Sequence, residues 1–289
     1  MASPAHHRAP LGSLGSLGCL AALLVLLLMP PAALACGPFR VAFQHYPGLY
    51  EARGDGSAHG LDPALMEALA ARSHCRLLGV PASNVRLWQA LEAGEVDILA
   101  SALVTPDRER LVEFVPLVQS QLHLLLSLEL ARRLAGPADF LADAALRLGV
   151  VRGARHTPDA QSWIEALRQA GRLSESADKR SLLRAFEARR IDAVLVYPME
   201  LYEGATRWPQ DVVLRAWWPE SVSVGAWALS RRTLSEAERQ RLREALLSLL
   251  QDGTVQRLAD RHLGPVQASR LILQPLEAPA AGRSPSGTR

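Results

Sequence analysis

The apolar positions of the chain fall into short runs, and the segments between them repeat apolar residues at helical spacing. Three runs predict strands, at residues 40–44, 76–80 and 96–99. Asp62 followed by Pro63 predicts a helix start with Asp62 as the N-cap. Asn84 predicts the cap of a second helix, which Gly94 ends. This alternation of strand and helix is typical of an α/β sheet.

The second half of the chain repeats the same order. Apolar runs predict strands at residues 121–127, 147–151 and 191–196, with a helix from Pro158 to Leu167 between the last two. Ser235 and Glu238 form a capping-box pattern at the start of a long helix, and a further helix is predicted at 254–263. Two α/β units of similar design are therefore expected.

The N-terminal residues have the pattern of an export signal. Positive residues precede an apolar run at 17–29, two prolines follow it, and Ala33 and Ala35 form a small-x-small cleavage site. A membrane anchor is the competing interpretation, but the run is shorter than the roughly 18 to 20 residues that span a bilayer. Residues 1–35 are therefore predicted to be a cleaved signal peptide, and the mature protein is expected in the periplasm.

The composition and charge of the chain indicate a folded protein that does not bind nucleic acid. The chain has 289 residues, of which 49% are hydrophobic, so it can bury a substantial core in one large or two smaller domains. The formal net charge is +3, and no basic tract indicates nucleic-acid binding. Nearly all positive side chains are arginine, and Lys179 is the single lysine.

Cysteine use gives one candidate cross-link. Cys19 would leave with the leader, so Cys36 and Cys75 would remain in an oxidising compartment, where two such thiols usually pair. A Cys36–Cys75 disulfide would contribute about 4 kcal/mol on the chain-entropy model. Lipidation of Cys36 is the alternative, although the preceding residues 33–35 lack the leucine usual before a lipidated cysteine.

Two segments after predicted strands carry candidate chemistry. Thr105 is predicted to cap a helix whose free backbone N–H groups, together with Arg108, favour binding of a carboxylate or phosphate. In the second unit, residues 157–159 predict another helix start, and the turn at Gly153 would bring Arg155 and His156 to the same cleft. From these residues alone, capped surface helices with solvated arginines are the simpler interpretation.

The order of these elements resembles the family 3 bacterial extracellular solute-binding proteins, which include the amino-acid receptors of ABC importers. The resemblance covers roughly residues 39–263, and its carriers are 60–65, 91–98, 105–114, 148–153, 188–193 and 251–254. It implies an α/β, two-lobed type II periplasmic binding fold with two crossover hinge strands. Lobe 1 would comprise 36–119 and 221–264, lobe 2 would comprise 120–220 with the hinge segments, and 265–289 would be a disordered tail.

The resemblance also implies a set of ligand-binding residues. Arg108 matches the arginine that grips the α-carboxylate in this family, with Ser101 on the neighbouring strand end. Further candidates, each equally compatible with packing, are Gln44, Tyr46 and Tyr50. Three positions depart from the family pattern: Leu103 replaces a usual hydroxyl residue, Arg155 replaces a small hydroxyl residue, and Tyr197 replaces the aspartate that holds the α-amino group. With no obvious acid opposite, a carboxylate ligand without a free α-amine is expected.

The function expected from this resemblance is capture of a small carboxylate or amino-acid-like solute by hinge closure. The protein would act as a monomer without cofactor or metal, would not be an enzyme, and would serve an inner-membrane ABC permease. A dehydratase of the cyclohexadienyl type on the same fold is the alternative, with Glu200 and Glu203 as weak candidates for its acid or base. A sensing or accessory module is a third possibility.

Overall fold

The computed structural model describes residues 36–54, 57–198, 211–220 and 222–271. The predicted leader, Glu200, Glu203 and the residues after 271 lie outside this part of the chain. The strands of the described part are β1 (Cys36–Gln44), β2 (Glu51–Ala52), β3 (Ala58–His59), β4 (Cys75–Ala82), β5 (Ile98–Leu103), β6 (Val112–Gln121), β7 (His123–Ser127), β8 (Leu148–Val151), β9 (Leu173–Ser176), β10 (Ala193–Val196), β11 (Val212–Arg215) and β12 (Val222–Ser230).

The helices of the described part alternate with these strands. They are α1 (Leu61–Ser73), α2 (Asn84–Ala93), α3 (Leu128–Arg133), α4 (Pro137–Ala142), α5 (Pro158–Gln169), α6 (Lys179–Glu187), α7 (Glu236–Gln251), α8 (Thr254–Leu263) and α9 (Pro265–Leu271). A short 3-10 helix, Pro106–Arg108, follows β5. Within the described ranges, no helix has both the length and the apolar character that crossing a bilayer requires.

The first sheet has the strand order β4-β1-β5-β12-β6. β1 pairs in parallel with β4 and β5, whereas β12 is antiparallel to β5 and β6. Parallel neighbours require a crossover connection, and α1 and α2 provide the two crossovers. The β-α-β-α-β unit predicted from the first half of the sequence is therefore confirmed, and β12 and β6 extend it.

The second sheet has the strand order β11-β7-β10-β8-β9. β8 is parallel to β9 and β10, while β7 is antiparallel to β10 and β11. α5 connects β8 to β9, and α6 connects β9 to β10. The second unit thus repeats the crossover design of the first, as the sequence predicted.

Helices cover both faces of each sheet. On the first sheet, α1, α7, α8 and α9 bury one face around Trp227, and α2 buries the other face around Leu91. On the second sheet, α4 and α5 bury one face around Phe140 and Trp163, and α6 buries the other around Phe186. Burial on both faces explains why the strands read as almost continuous apolar runs.

The chain passes between the sheets twice. β6 of the first sheet ends at Gln121 and β7 of the second begins at His123, so the first crossing is at Leu122. The second crossing runs from β11 to β12, and the Gln121 side chain donates a hydrogen bond to the Pro219 carbonyl beside it. The expected two-lobed fold with two crossover strands is confirmed, and the boundaries drawn for the lobes remain a prediction.

A disulfide joins Cys36 at the start of β1 to Cys75 at the start of β4. The two residues are register partners on neighbouring parallel strands, and their Cα atoms lie 4.4 Å apart. The predicted pairing is therefore present in the structure. The disulfide therefore ties the start of β1 at Cys36 to the start of β4 at Cys75.

The C-terminal end of the fold extends further than the sequence analysis predicted. The expected disordered tail began at Pro265, but α9 occupies Pro265–Leu271, with Ala268 and Leu271 buried against the first sheet. Pro265 does not end the ordered chain, because proline is favoured in the first turn of a helix, and the two apolar residues three positions apart form a buried face.

Candidate functional site

A cavity of about 520 Å³ lies between the two sheets. The carboxyl ends of β1 and β5 line it from the first sheet, and the loop after β8 and the start of α6 line it from the second. Ligand sites of α/β sheets lie at such carboxyl ends of strands. All of the side chains predicted to bind a ligand line this cavity: Gln44, Tyr46, Tyr50, Ser101, Arg108, Arg155 and Tyr197.

Arg108 is held in the cavity wall by an aromatic face. Its guanidinium carbon lies 3.9 Å from the centre of the Trp88 ring, which is cation–π contact. Among the described residues, no oxygen accepts a hydrogen bond from this guanidinium or forms an ion pair with it. Burial lowers the pKa of Arg108, with the charge of Asp107 opposing the shift, but arginine stays charged near neutral pH. The wall therefore contains a half-buried cation with unused donors.

The predicted helix at Thr105 is wrong. The segment forms only the three-residue 3-10 helix Pro106–Arg108, and the Thr105 side chain makes no capping hydrogen bond. Three residues cannot align the backbone dipoles that make a helix end an anion site. Anion binding at this position would therefore depend on the Arg108 side chain.

Trp88 on α2 lines the cavity, although the spacing of Val85, Trp88 and Leu91 in the sequence predicts that these three residues form the buried stripe of the helix. In the structure, Leu87 and Leu91 form that stripe, and Val85 is 42% exposed. The helix begins after Ser83, so Asn84 is its first residue and its side chain is free to make other contacts. The apolar face is thus rotated by one position, and Trp88 turns toward Arg108.

Asp62 was also assigned the wrong role. α1 begins at Leu61 after Gly60, so Asp62 lies in the first turn, where it is 3% exposed. Its Oδ1 accepts a hydrogen bond of 2.8 Å from the hydroxyl of Ser101, which itself lines the cavity. Burial raises the pKa of Asp62 to about 7, while the Ser101 hydroxyl and the Trp227 indole oppose the rise.

Tyr46, Tyr50 and Gln44 form the wall that follows β1. Tyr50 is 6% exposed, and its ring stacks on Phe43 with the centroids 5.1 Å apart. The backbone N–H of Tyr46 donates to the Tyr50 carbonyl at 2.9 Å, which closes a tight turn at the cavity edge. Tyr50 therefore both packs in the core and lines the cavity, as the two interpretations of the sequence each required.

Arg155 lies at the rim of the cavity. Its Nη2 is 3.8 Å from Oδ2 of Asp107, and both side chains are more than half exposed. The expectation that Arg155 faces a ligand together with Arg108 is therefore modified, because its charge already has a partner from the opposite side of the cleft. The acid beside Arg108 at this rim is Asp107.

Further contacts join the two sides across the same rim. Nδ2 of Asn84 donates to the Arg152 carbonyl at 3.1 Å, and Nη2 of Arg180 lies 2.9 Å from Nε2 of His45. Deeper in the cleft, the Tyr197 hydroxyl donates to Ser223 at 2.8 Å. Side chains from both sheets therefore meet around the cavity.

The second side of the cavity contributes three further titratable residues, Asp178, Lys179 and His156, of which only His156 was predicted from the sequence to face the cleft. Burial alone would raise the pKa of Asp178. Hydrogen bonds from the backbone N–H and the hydroxyl of Ser181 oppose burial and hold this pKa below its ordinary value. Lys179 is 7% exposed and donates to the Leu195 carbonyl at 2.7 Å. Burial, with help from the charge of Lys179, lowers the pKa of His156 to about 3. The premise that no acid faces Arg108 is therefore wrong, since Asp178 lines the cavity.

His156 is notable because neither ring nitrogen has a hydrogen-bond partner among the described residues, although both are buried. The low pKa keeps this imidazole neutral near neutral pH. Within the described ranges, no group of three or more His, Cys, Asp or Glu side chains could hold a metal ion. The cavity wall thus combines Arg108, Arg155, Asp178, Lys179 and His156 with hydroxyl groups and an aromatic and aliphatic surface.

Two α/β halves, two crossings and a cavity between the halves define the type II periplasmic binding fold. The sequence profile described as bacterial extracellular solute-binding proteins, family 3, matches residues 40–265. The chain belongs to this family. No curated protein sequence matches the chain.

Solved structures share the fold at low sequence identity. An ancestral amino acid-binding protein, a precursor of cyclohexadienyl dehydratase, is 20% identical with a TM-score of 0.65, over 78% of this chain and 95% of that one. An ancestral arginine-binding protein bound to arginine is 17% identical with a TM-score of 0.63, over 79% and 99%. A substrate-binding protein of an ABC uptake transporter from Streptococcus pneumoniae, with bound histidine, is 18% identical with a TM-score of 0.65, over 78% and 92%.

Proposed function

We propose that the protein captures a small carboxylate or amino-acid-like solute in the cavity between its two sheets and releases it to an inner-membrane ABC permease. The export signal predicted at 1–35 would deliver the protein to the periplasm. Capture would proceed by closure of the two halves about the crossings at Leu122 and between β11 and β12.

The observation that carries this proposal is the guanidinium of Arg108. It lines the cavity, stacks on Trp88, and has no hydrogen-bond acceptor among the described residues. Stacking occupies the face of the guanidinium and leaves its N–H edge for a carboxylate, which arginine binds with two parallel hydrogen bonds. A half-buried cation with unused donors is what a solute carboxylate would satisfy.

The rest of the wall favours a solute with an apolar part. The cavity is also lined by Tyr46, Leu87, Trp88, Val118 and Leu195. Pockets lined mainly by aromatic and aliphatic groups, with a few polar groups that fix orientation, are typical of small-molecule sites. Asp178 supplies one acid on the other side, so an amine-bearing solute is compatible with the cavity.

The contacts across the rim support capture by closure. Asn84, Asp107 and His45 from the first side meet Arg152, Arg155 and Arg180 from the second. These contacts are small and exposed, so they would form and break at little cost as the halves move. Closure excludes water from the cavity and strengthens the contact between Arg108 and a carboxylate.

A thermal-shift screen of carboxylates, amino acids and sugars would identify the solute. Titration calorimetry would then compare the affinity for that solute in Arg108→Gln and in Arg86→Gln. Arg86 is an exposed arginine on α2 outside the cavity, so its substitution is the matched control. Loss of a charge-assisted pair should lower affinity well over tenfold in Arg108→Gln and leave Arg86→Gln unchanged.

Equal affinities in the two variants would contradict the proposed site. Turnover of prephenate or arogenate by the purified protein would contradict a purely binding function and favour the dehydratase alternative. Uptake of the identified solute by cells with and without the gene would test the link to a permease, because only a transport role predicts a loss of uptake.

A further inference from the structure

Asp62 lies directly behind the cavity wall. It is 3% exposed and does not line the cavity, whereas its partner Ser101 does. The Ser101 hydroxyl donates to Oδ1 of Asp62 at 2.8 Å, and the Asp62 backbone N–H donates to the Leu49 carbonyl at 2.9 Å. The carboxyl group is therefore fixed in place and connected to the cavity through one hydroxyl.

The surroundings of Asp62 are neutral. β5 brings the Ser101 hydroxyl to it and β12 brings the Trp227 indole, and no charged side chain of the described residues shifts its pKa. Burial outweighs both hydrogen bonds and raises that pKa to about 7. Both the acid and the carboxylate form of Asp62 are therefore populated near neutral pH.

Ser101 has an unusual backbone conformation that places its side chain between Asp62 and the cavity. Its φ is 47°, in the left-handed region that non-glycine residues rarely adopt. Such a conformation costs of order 1 kcal/mol and persists where the surroundings fix it, often at functional sites. The Ser101 hydroxyl therefore connects the buried carboxyl group of Asp62 to the cavity.

We propose that Asp62 is a positioning residue that sets whether Ser101 accepts or donates a hydrogen bond toward the bound solute. As a carboxylate, Asp62 can only accept, so it holds the Ser101 proton and leaves oxygen lone pairs facing the cavity. As an acid, Asp62 donates its own proton to the Ser101 oxygen and frees the Ser101 proton for the solute. This inference rests on the proposed function of the cavity.

The two states match different solutes. A solute carboxylate near Ser101 binds better when Asp62 is protonated, because Ser101 can then donate a hydrogen bond to it. Binding of such a solute therefore takes up a proton and weakens as pH rises through about 7. An ammonium near Ser101 matches the ionised state and shows the opposite trend. Arg108 stays charged and His156 stays neutral near neutral pH, so neither produces this dependence.

Infrared spectroscopy tests the titration without a ligand. The protein should show the carbonyl stretch of a protonated carboxyl group at about pH 6 that disappears by about pH 8, and Asp62→Asn should remove it. Ser101→Ala should keep this signal, because the carboxyl group stays buried. Absence of the signal from the unmodified protein at about pH 6 would overturn the proposal whether or not the cavity binds a solute.

Calorimetry with 3-phenylpropionate as the probe tests the effect on binding. Affinity should fall up to about tenfold between about pH 6 and about pH 8, with proton uptake measured from two buffers of different ionisation enthalpy. Asp62→Asn and Ser101→Ala should each abolish the pH dependence, and His74→Gln, which removes an exposed histidine outside the cavity wall, should keep it. A dependence that survives in Asp62→Asn would overturn the proposal.

These outcomes separate the inference from the proposed function. If the probe binds neither the unmodified protein nor its variants, the proposed function fails for this solute class and the infrared titration alone decides whether Asp62 changes its protonation. If the probe binds and Arg108→Gln abolishes binding while pH has no effect, the proposed function stands and the role of Asp62 is refuted.

Discussion

Arg108 and Trp88 form a pair in which each side chain fixes the other. The indole is half-buried on α2, and the guanidinium lies 3.9 Å from the ring centre. Without the ring, Arg108 would sample many rotamers and would lose side-chain entropy when it binds a carboxylate. The stack therefore prepares the cation for binding before the solute arrives.

Replacing Trp88 tests this preparation. Trp88→Leu should lower the affinity for the identified solute about five- to tenfold, because a partly buried cation–π contact contributes about 1 kcal/mol. Trp88→Phe, which keeps an aromatic face, should retain most of the affinity. Titration calorimetry measures both, and equal losses in the two variants would mean that Trp88 acts only through packing volume.

At the residue scale, the sequence predicted the residues that carry a family pattern and missed those whose position depends on helix rotation. Ser101 lies near the carboxyl end of β5 and Arg108 follows that strand, which fixes the location of both residues at the edge of the sheet. Asp62 and Trp88 lie on helices, where a shift of one position turns a side chain by about 100°. Local patterns did not set the starts of α1 and α2 accurately enough to place them.

At the element scale, the parallel strands β1, β4, β5, β8 and β10 were predicted because their apolar runs are continuous, whereas the more polar strand β9 and the crossover helix α6 were not. β6 was not predicted, and Pro116 within it explains why, since proline is depleted in strands. The structure accommodates Pro116 because β6 is the edge strand of the first sheet, where one side needs no ladder hydrogen bonds. Edge position is a property of the sheet and cannot be read from the segment alone.

α9 offers an element-scale test with a control on the same helix. Leu271 is 3% exposed and packs in the core of the first sheet, whereas Val266 is 63% exposed. Leu271→Ala should lower the free energy of unfolding by about 2 to 3 kcal/mol, and Val266→Ala should change it by less than about 0.5 kcal/mol. Urea unfolding followed by circular dichroism measures both, and equal effects would contradict the packing of α9.

At the scale of the whole molecule, three exposed contacts join the two sides of the cleft at its rim. The combined variant Asn84→Ala, Asp107→Asn and Arg180→Gln removes all three of them from the rim. Each contact contributes up to about 1 kcal/mol, so removal of all three should shift the equilibrium toward the open form by up to about 150-fold. Small-angle X-ray scattering should report a larger radius of gyration without solute.

The identified solute should restore the smaller radius in this variant, since solute binding favours the closed form. Arg168→Gln is the control, because Arg168 pairs with Glu165 and Glu175, which both belong to the second half. The same scattering curve for the combined variant and the control, with and without solute, would contradict rim-stabilised closure.

The single lysine of the chain, Lys179, is also one of the buried residues of the cavity wall. Apart from the terminal α-amino group, it is the one primary amine available to acylating reagents, because arginine does not react with them. Fluorophores attached through amine chemistry would therefore leave the arginine-rich exterior unmodified. The rate at which Lys179 reacts would report how often the cleft admits a reagent, and occupancy by a solute would appear as protection from acylation.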